Sequence, residues 1–209
     1  MTSVAFRERT LDAGAQRLAV AEAGAGDALL WLGDAPGLGL TRTHEALAAR
    51  RRVIALSLPG IDGTAGLDAL GPTVLAAVPA LELSRFDLMG SGRGANLALW
   101  LALAQPERVR AVVLLGPTAI GGRDDAIASR LDAITAPSLA LFGTRDPVAP
   151  PETARHYRAR MPGCNLVFVY DAGRAMAAER PEAVSAMIED FLERHDLFLV
   201  SRTNGMIFP

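Results

Sequence analysis

Several residue types are scarce or missing, and each absence excludes a class of protein. The 209-residue chain has one cysteine, Cys164, so it has no internal disulfide. It has no lysine, because all 21 basic residues are arginines, and this excludes Schiff-base and lysine general-base chemistry. No apolar run approaches the roughly 18 residues that span a bilayer. The net charge of −2 provides no positive field, so neither nucleic acid nor a membrane surface is expected as a partner.

Metal-ligating residues are also few. The chain has three histidines, and all of them fall within predicted helices, where we expect partly exposed side chains: His44, His156 and His195. The acidic pair Asp124-Asp125 has no partner ligands nearby and is typical of the first turn of a helix. We therefore expect no metal and no cofactor.

What is present indicates one α/β domain over residues 1–209. Half of the residues are hydrophobic, which suffices for a core at this length. Charged residues near the N-terminus stand where a signal peptide needs an apolar run, so we expect a cytoplasmic location. Short apolar runs predict buried strands at Ala28–Gly33, Arg52–Leu56, Arg85–Gly90, Val109–Leu115, Ser138–Phe142 and Asn165–Tyr170. Helical patterns lie between them, at Thr41–Arg50, Gly94–Gln105, Asp124–Ile134, Pro151–Met161 and Arg180–Arg194.

This alternation predicts a doubly wound, mostly parallel sheet with helices on both faces. Two segments precede the first helix, Ala5–Thr10 and Arg17–Glu22, and predict an antiparallel hairpin at one edge of the sheet. Pro72 and Pro79 interrupt the segment Gly66–Leu83, so any helix there should be short or kinked. The C-terminal tail, residues 196–209, is apolar and should pack at an interface, which predicts a homodimer or a subunit of a complex.

Six motifs in order along the chain resemble those of the α/β-hydrolase family. They are Gly33, Leu58-Pro59-Gly60, Gly90-Ser91-Gly92-Arg93-Gly94, Pro106-Glu107-Arg108-Val109, Phe142-Gly143-Thr144-Arg145-Asp146 and Asp171-Ala172-Gly173-Arg174. The resemblance covers nearly the whole chain and implies the α/β-hydrolase fold. The connection between Leu115 and Ser138 is too short for the lid of that family, so a lidless domain is expected.

The resemblance also implies a catalytic triad, with its nucleophile on a sharp strand-to-helix turn. In this sequence Gly92 stands at the nucleophile position, Asp146 at the acid position and Arg174 at the base position. Glycine has no side chain, and arginine does not deprotonate in proteins. The triad is therefore degenerate, and Arg174 is expected to contact Asp146 as an ion pair without proton transfer.

A remnant pocket could still bind a ligand. The expected ligand-binding residues are Asp34, Ser91, Arg93, Thr118 and Arg174. Two arginines and glycine amides at a helix N-terminus favour a carboxylate or phosphate. Asp34 would oppose a developing oxyanion, or it could cap the segment that follows. The leading hypothesis is a catalytically degenerate protein that binds a small, anionic molecule or a partner chain.

Two alternatives remain open. The first is an active hydrolase or lyase with a non-standard site, which uses Ser91 as nucleophile or a carboxylate of Asp34 or Asp146 as base. The second is a dinucleotide-binding domain, because residues 90–95 satisfy the G-x-G-x-x-G/A pattern between a strand and a helix. The acidic residue expected about 20 positions later is missing, which weakens this second alternative.

Overall fold

One mixed sheet organises the chain. The computed structural model describes residues 4–121, 124–198 and 206–207, and these contain nine strands. The strands are β1 (Arg7–Ala13), β2 (Gln16–Ala23), β3 (Ala28–Leu32), β4 (Arg52–Leu56), β5 (Phe86–Ser91), β6 (Val109–Leu115), β7 (Ser138–Gly143), β8 (Cys164–Val169) and β9 (Met206–Ile207). Their order in the sheet is β1-β2-β4-β3-β5-β6-β7-β8-β9. The β1–β2 and β2–β4 pairs are antiparallel and the others are parallel, so the predicted doubly wound sheet and its edge hairpin are confirmed.

Helices cover both faces of this sheet. They are α1 (Arg42–Ala48), α2 (Leu67–Ala80), α3 (Gly92–Ala104), α4 (Asp125–Ala128), α5 (Pro151–Arg160), α6 (Met176–Glu179) and α7 (Pro181–Arg194). Successive residues of a strand point their side chains to opposite faces of the sheet. Leu30 belongs to the core cluster that also contains residues of α2, α3 and α5, whereas Leu29 and Trp31 belong to the cluster on the other face, with residues of α1 and α7. The parallel strands are therefore buried on both sides.

Helix α2 differs from the prediction for its segment. We expected a helix that is either short or kinked; it is not short, because it runs for 14 residues through Pro72 and Pro79. Its packing on α3 is close, since a Cβ built on Gly71 would lie 2.5 Å from the Trp100 ring. Tertiary packing of this kind offsets the local cost of a proline within a helix.

The connection between β6 and β7 is short, as predicted. Its described residues form α4 and a 3₁₀ turn at Leu131–Ala133, in place of the single helix predicted over 124–134. A connection of this length holds no lid domain. The carboxyl ends of the parallel strands therefore have no separate domain above them in the part of the chain that the structure describes.

The described part of the tail contacts its own chain. Phe198 is buried and meets the Phe191 ring of α7 edge-on, with the ring centroids 5.4 Å apart. Strand β9 adds a parallel edge to β8, whereas Leu197 is exposed. The rest of the tail, on which the interface prediction also depends, lies outside the described residues. Among the described residues, no helix combines the length and apolar character needed to cross a membrane.

Candidate active-site remnant

The turn between β5 and α3 has the backbone of a sharp strand-to-helix turn. Ser91 ends the strand in an extended conformation, with φ −115° and ψ 144°. Gly92 follows with φ +50°, in the left-handed region that favours glycine. The motif position identified from the sequence is therefore the residue at which the chain turns into the helix.

The glycines on either side of this turn allow close backbone packing. A Cβ built on Gly90 would lie 2.6 Å from the Ala95 nitrogen, and one on Gly94 would lie 2.6 Å from the Leu32 carbonyl carbon. These glycines thus serve the contact of α3 with its own sheet. In a dinucleotide-binding turn the backbone is open to a pyrophosphate. The side chains above Gly92, described next, fill that space, so the geometry does not favour the dinucleotide alternative.

Two side chains occupy the space above Gly92. A Cβ built on Gly92 would overlap the Arg174 guanidinium and would lie 2.7 Å from Asp34 Oδ2. Arg174 Nε lies 3.2 Å from Asp34 Oδ2, and both side chains are about one-third exposed. The place where a nucleophile would stand is thus filled by an ion pair from two other loops.

Asp146 lies deeper beside this pair. It is buried, and its Oδ1 accepts hydrogen bonds from the Val148 and Ala149 backbone N–H groups at 2.8 and 3.2 Å. Its Oδ2 is 4.0 Å from Arg174 Nη1, and neither of these two buried atoms has a hydrogen-bond partner. The expected contact between Arg174 and Asp146 is therefore longer than a hydrogen bond, because the guanidinium is held by Asp34 instead. Asp34, which we expected to act as a helix cap or to oppose an oxyanion, is the direct partner of Arg174.

A cavity of about 310 Å³ opens next to this cluster. Three of the five predicted ligand-binding residues line it, namely Asp34, Ser91 and Arg174. The remaining lining residues are mostly small or apolar: Trp31, Gly33, Ala35, Gly39, Thr41, His44, Leu115, Ala175, Ala177 and Ala178. A volume near 300 Å³ is at the lower end of the range for small-molecule pockets.

The other two predicted ligand-binding residues, Arg93 and Thr118, lie elsewhere. Arg93 donates to the carbonyl oxygens of Ile61 and Ala65, which draws its guanidinium toward the loop after β4. The Thr118 backbone N–H donates to Asn96 Oδ1, and Asn96 Nδ2 donates to the Thr118 hydroxyl. These two hydrogen bonds join α3 to the loop after β6. Each side chain makes a structural contact, and neither residue is among those that line this cavity.

His44 lines the cavity and was missed by the sequence analysis. We expected a partly exposed helix residue, but its side chain is fully buried and its ring lies 4.3 Å from the Trp31 ring, centroid to centroid. Its Nδ1 accepts a hydrogen bond from the Thr41 backbone N–H at 3.0 Å, whereas Nε2 is buried without a partner. The T-x-x-H spacing at the start of α1 was the available signal, because His44 takes the place of Glu or Gln in a capping box.

Burial of His44 should make the protein less stable in mild acid. Desolvation lowers the pKa of His44 from 6.5 to about 4. Between about pH 6.5 and pH 4 the unfolded chain therefore takes up this proton, while the folded chain does not. The free energy of unfolding consequently decreases as the pH is lowered. From about pH 7 to about pH 4 the loss should be about 3 kcal/mol. Urea unfolding across this range measures it.

Two variants separate His44 from other titrating groups. His44→Gln does not titrate, so its free energy of unfolding should fall by about 3 kcal/mol less than that of the wild type over the same range. His156→Gln removes an exposed histidine of α5 and should follow the wild type. Parallel curves for the wild type and His44→Gln would show that His44 is protonated in the folded protein.

Comparisons with known proteins agree with the fold described above. A family model, Abhydrolase_4, described as "TAP-like protein", matches residues 121–197. The chain is 32% identical to a 2-hydroxymuconate semialdehyde hydrolase of Pseudomonas sp. (strain CF600), over 60% of this chain and 48% of that protein. It is 39% identical to the dihydrolipoyllysine-residue acetyltransferase component of the acetoin cleaving system of Pseudomonas putida, over 37% of this chain and 23% of that protein. It thus spans about half the length of the first relative and about a quarter of the second.

Solved structures match over a larger part of the chain. A serine hydrolase from the polyaromatic hydrocarbon-degrading bacterium Cycloclasticus zankles superposes with a TM-score of 0.77 at 15% identity. The superposition covers 90% of this chain and 98% of that chain. The sheet order, the two antiparallel pairs at its edge, the left-handed turn at Gly92 and these matches together show that the chain has the α/β-hydrolase fold.

Proposed function

We propose that this protein binds a small molecule in the cavity beside Arg174 and lacks the usual serine-hydrolase activity. The observation that carries the proposal is the space above Gly92. Arg174 and Asp34 fill it, so it holds an ion pair where an active hydrolase needs a hydroxyl and room for the reacting carbonyl. The cavity alongside is small, which suits a small molecule better than a partner chain.

A general base is missing from the cavity as well. Arg174 cannot accept a proton from a hydroxyl. His44 accepts a hydrogen bond at Nδ1, so its proton is assigned to Nε2, and that nitrogen cannot act as a base in this tautomer. His44 Nε2 also makes no hydrogen bond to Ser91, although both residues line the cavity. These contacts support a binding role over nucleophilic catalysis.

One observation favours a second candidate function, which is hydrolysis with Ser91 as the nucleophile. Ser91 lines the cavity, and relatives of the chain include proteins named as a hydrolase and as a methyl ester esterase. Against it, Ser91 stands one residue before the left-handed position, in extended backbone. Attack by Ser91 would therefore have to start from an ordinary strand end.

Labelling with a fluorophosphonate probe, which reacts covalently with activated serines, separates the two functions. We expect no labelling of the purified protein, because no described group is placed to activate a serine. A competent serine hydrolase in the same reaction confirms that the probe is active, and Ser91→Ala is the matched variant. Labelling of the wild type that disappears in Ser91→Ala would overturn the proposal in favour of the second function.

A further inference from the structure

A buried charge cluster lies at the amino ends of the central strands, at the opposite end of the strands from the cavity. Asp87, the second residue of β5, is fully buried, and its carboxylate accepts two hydrogen bonds from Arg110, at 3.2 and 2.9 Å. Arg110 also pairs with Asp27 at 2.7 Å. Arg51 Nη1 lies 3.5 Å from Asp87 Oδ2, and Arg51 Nε lies 3.1 Å from Glu189 Oε2 of α7. These contacts join α7 to the ends of the strands.

This cluster of five side chains is not neutral. Its three carboxylates carry three negative charges at neutral pH and its two guanidinium groups carry two positive charges, which leaves one negative charge in excess. Asp87 is the most buried of the three carboxylates, and burial raises its pKa above the ordinary value, although Arg110 and Arg51 oppose this rise. A further cation beside Asp87 would therefore stabilise the ionised cluster.

His195 can supply this cation. Its Nε2 lies 3.9 Å from Asp87 Oδ1, is buried, and has no hydrogen-bond partner among the described residues. The side chain as a whole is about one-third exposed, so a proton can reach the ring from solvent. Histidine is the side chain that ordinarily gains a positive charge as the pH falls from about 8 to about 5. The other charged side chains at this end of α7 are already paired with one another: Arg194 with Asp190, and Glu193 with Arg50.

The backbone at His195 also favours the charged form. His195 follows α7 with φ +46°, in the left-handed region where glycine is the usual residue at a helix end. A histidine there is less favourable than glycine unless its side chain makes a compensating contact. Its position at the C-terminus of α7 places an imidazolium at the negative end of the helix dipole. An ion pair with Asp87 would supply the missing contact.

His195 begins the turn that fixes the chain after α7. Residues 195–197 form a 3₁₀ turn, and the Phe198 N–H donates to the His195 carbonyl oxygen at 3.0 Å. The Phe198 ring in turn packs on Phe191 of α7. A stronger contact between His195 and Asp87 would therefore hold this turn, and Phe198 with it, against the body of the protein.

We propose that His195 is a pH-dependent anchor for the chain after α7: protonated His195 pairs with Asp87 and fixes Phe198 in place, and loss of the proton loosens both. The pair requires an ionised Asp87. It therefore forms as the pH falls through the range in which histidine gains a proton, and it breaks again in stronger acid, where Asp87 itself takes up a proton. This device does not depend on the proposed binding function, because the cluster and the cavity lie at opposite ends of the strands.

Amide hydrogen exchange of Phe198, followed by NMR in the whole protein, tests the anchor. The measured rates are corrected for the pH dependence of exchange in an unstructured peptide. From pH 8 to pH 6 we expect the protection of this amide to rise about fivefold, since a hydrogen bond between charged groups is worth a factor of about ten or more when buried and less when partly exposed. His44, with a pKa of about 4, stays neutral in the folded protein over this range. Equal protection at the two pH values would overturn the proposal.

Three variants, each checked for folding by near-ultraviolet circular dichroism, assign the effect. His195→Gln cannot gain a charge, so its Phe198 protection should stay near the pH 8 value of the wild type at both pH values. His156→Gln removes an exposed histidine of α5 and should keep the wild-type response. Asp27→Asn replaces a largely exposed carboxylate and makes the cluster neutral without His195, so the response should fall by at least half.

The variants also define what contradicts the proposal. A pH response that survives in folded His195→Gln would assign it to another group and overturn the role of His195. A full response in Asp27→Asn would overturn the charge balance from which the anchor is inferred.

Discussion

A protein that carries Gly92→Ser together with Arg174→His should react with a fluorophosphonate probe that leaves the wild type unlabelled. The first change puts a hydroxyl at the left-handed turn, and the second puts an imidazole where a guanidinium now overlaps that position. Asp146 Oδ2 is buried beside it without a hydrogen-bond partner, and so can accept a hydrogen bond from an N–H of the new imidazole. The three groups of a Ser-His-Asp triad would then stand on the three appropriate loops.

Each single change should fail, for a different reason. Gly92→Ser alone places a Cβ against the Arg174 guanidinium and provides no base. Arg174→His alone provides a base without a nucleophile. In the double variant Asp34 loses its ion-pair partner, and because its side chain is partly exposed it is free to turn toward solvent. A non-glycine residue at φ +50° also costs about 1–3 kcal/mol, so the double variant should melt at a lower temperature than the wild type.

Labelling time courses by in-gel fluorescence measure the effect. We expect complete labelling of the double variant and none of either single variant in the same time. A double variant that is folded by near-ultraviolet circular dichroism but stays unlabelled would show that more than these two positions separates the chain from an active hydrolase. Labelling of Gly92→Ser alone would show that Arg174 moves aside and that another group acts as the base.

Gly94→Ala should destabilise the protein by about 4 kcal/mol, a loss above the usual range for overpacking. A Cβ at this position would overlap the backbone carbonyl oxygens of Leu32 and Gly33. Both belong to the backbone at the end of β3, so relief requires that α3 move away from the sheet. That movement would open the part of the core where the buried side chains of Leu97 and Leu101 of α3 pack.

Gly66→Ala is the matched control. Gly66 precedes α2 with φ −73°, which alanine adopts without strain, and nothing lies within 4 Å of a Cβ built there. Because Gly66 is the N-cap of α2, where alanine is less favourable than glycine, the free energy of unfolding of Gly66→Ala should fall by about 1 kcal/mol at most. Urea unfolding followed by circular dichroism compares the three proteins. A loss at Gly94 no larger than that at Gly66 would mean that the α3–β3 contact is looser than the structure shows.

The order of the elements could be predicted from the sequence because each signal was local. Continuous apolar runs predicted buried strands, and the glycine pattern at positions 90–94 located the strand-to-helix turn. Helix α2 was the exception. Its two prolines predicted a short or kinked helix, whereas the contact with Trp100, which supports the longer helix, is distant in sequence and has no local signal. Local sequence signals thus predicted the order of the elements. The length of α2, which they did not predict, depends on a contact between distant parts of the chain.

The site followed the same division. Its backbone positions could be predicted, whereas the partner of each side chain could not. Arg174 Nε lies 3.2 Å from Asp34 Oδ2, whereas Arg174 Nη1 lies 4.0 Å from Asp146 Oδ2. Which carboxylate lies nearer depends on the relative positions of three loops. The burial of His44 depends on Trp31 and on the loop before α1, which have no periodic signature.

The overlap above Gly92 also links two positions that are 82 residues apart in the sequence. A side chain at position 92 requires that the Arg174 guanidinium move, so a series of single replacements between this site and a working triad passes through a form that is either crowded at position 92 or lacks a nucleophile. Selection on one position therefore acts through the other. For this chain, a side chain at position 92 therefore fits best after Arg174 has been replaced, so the order of the two changes matters.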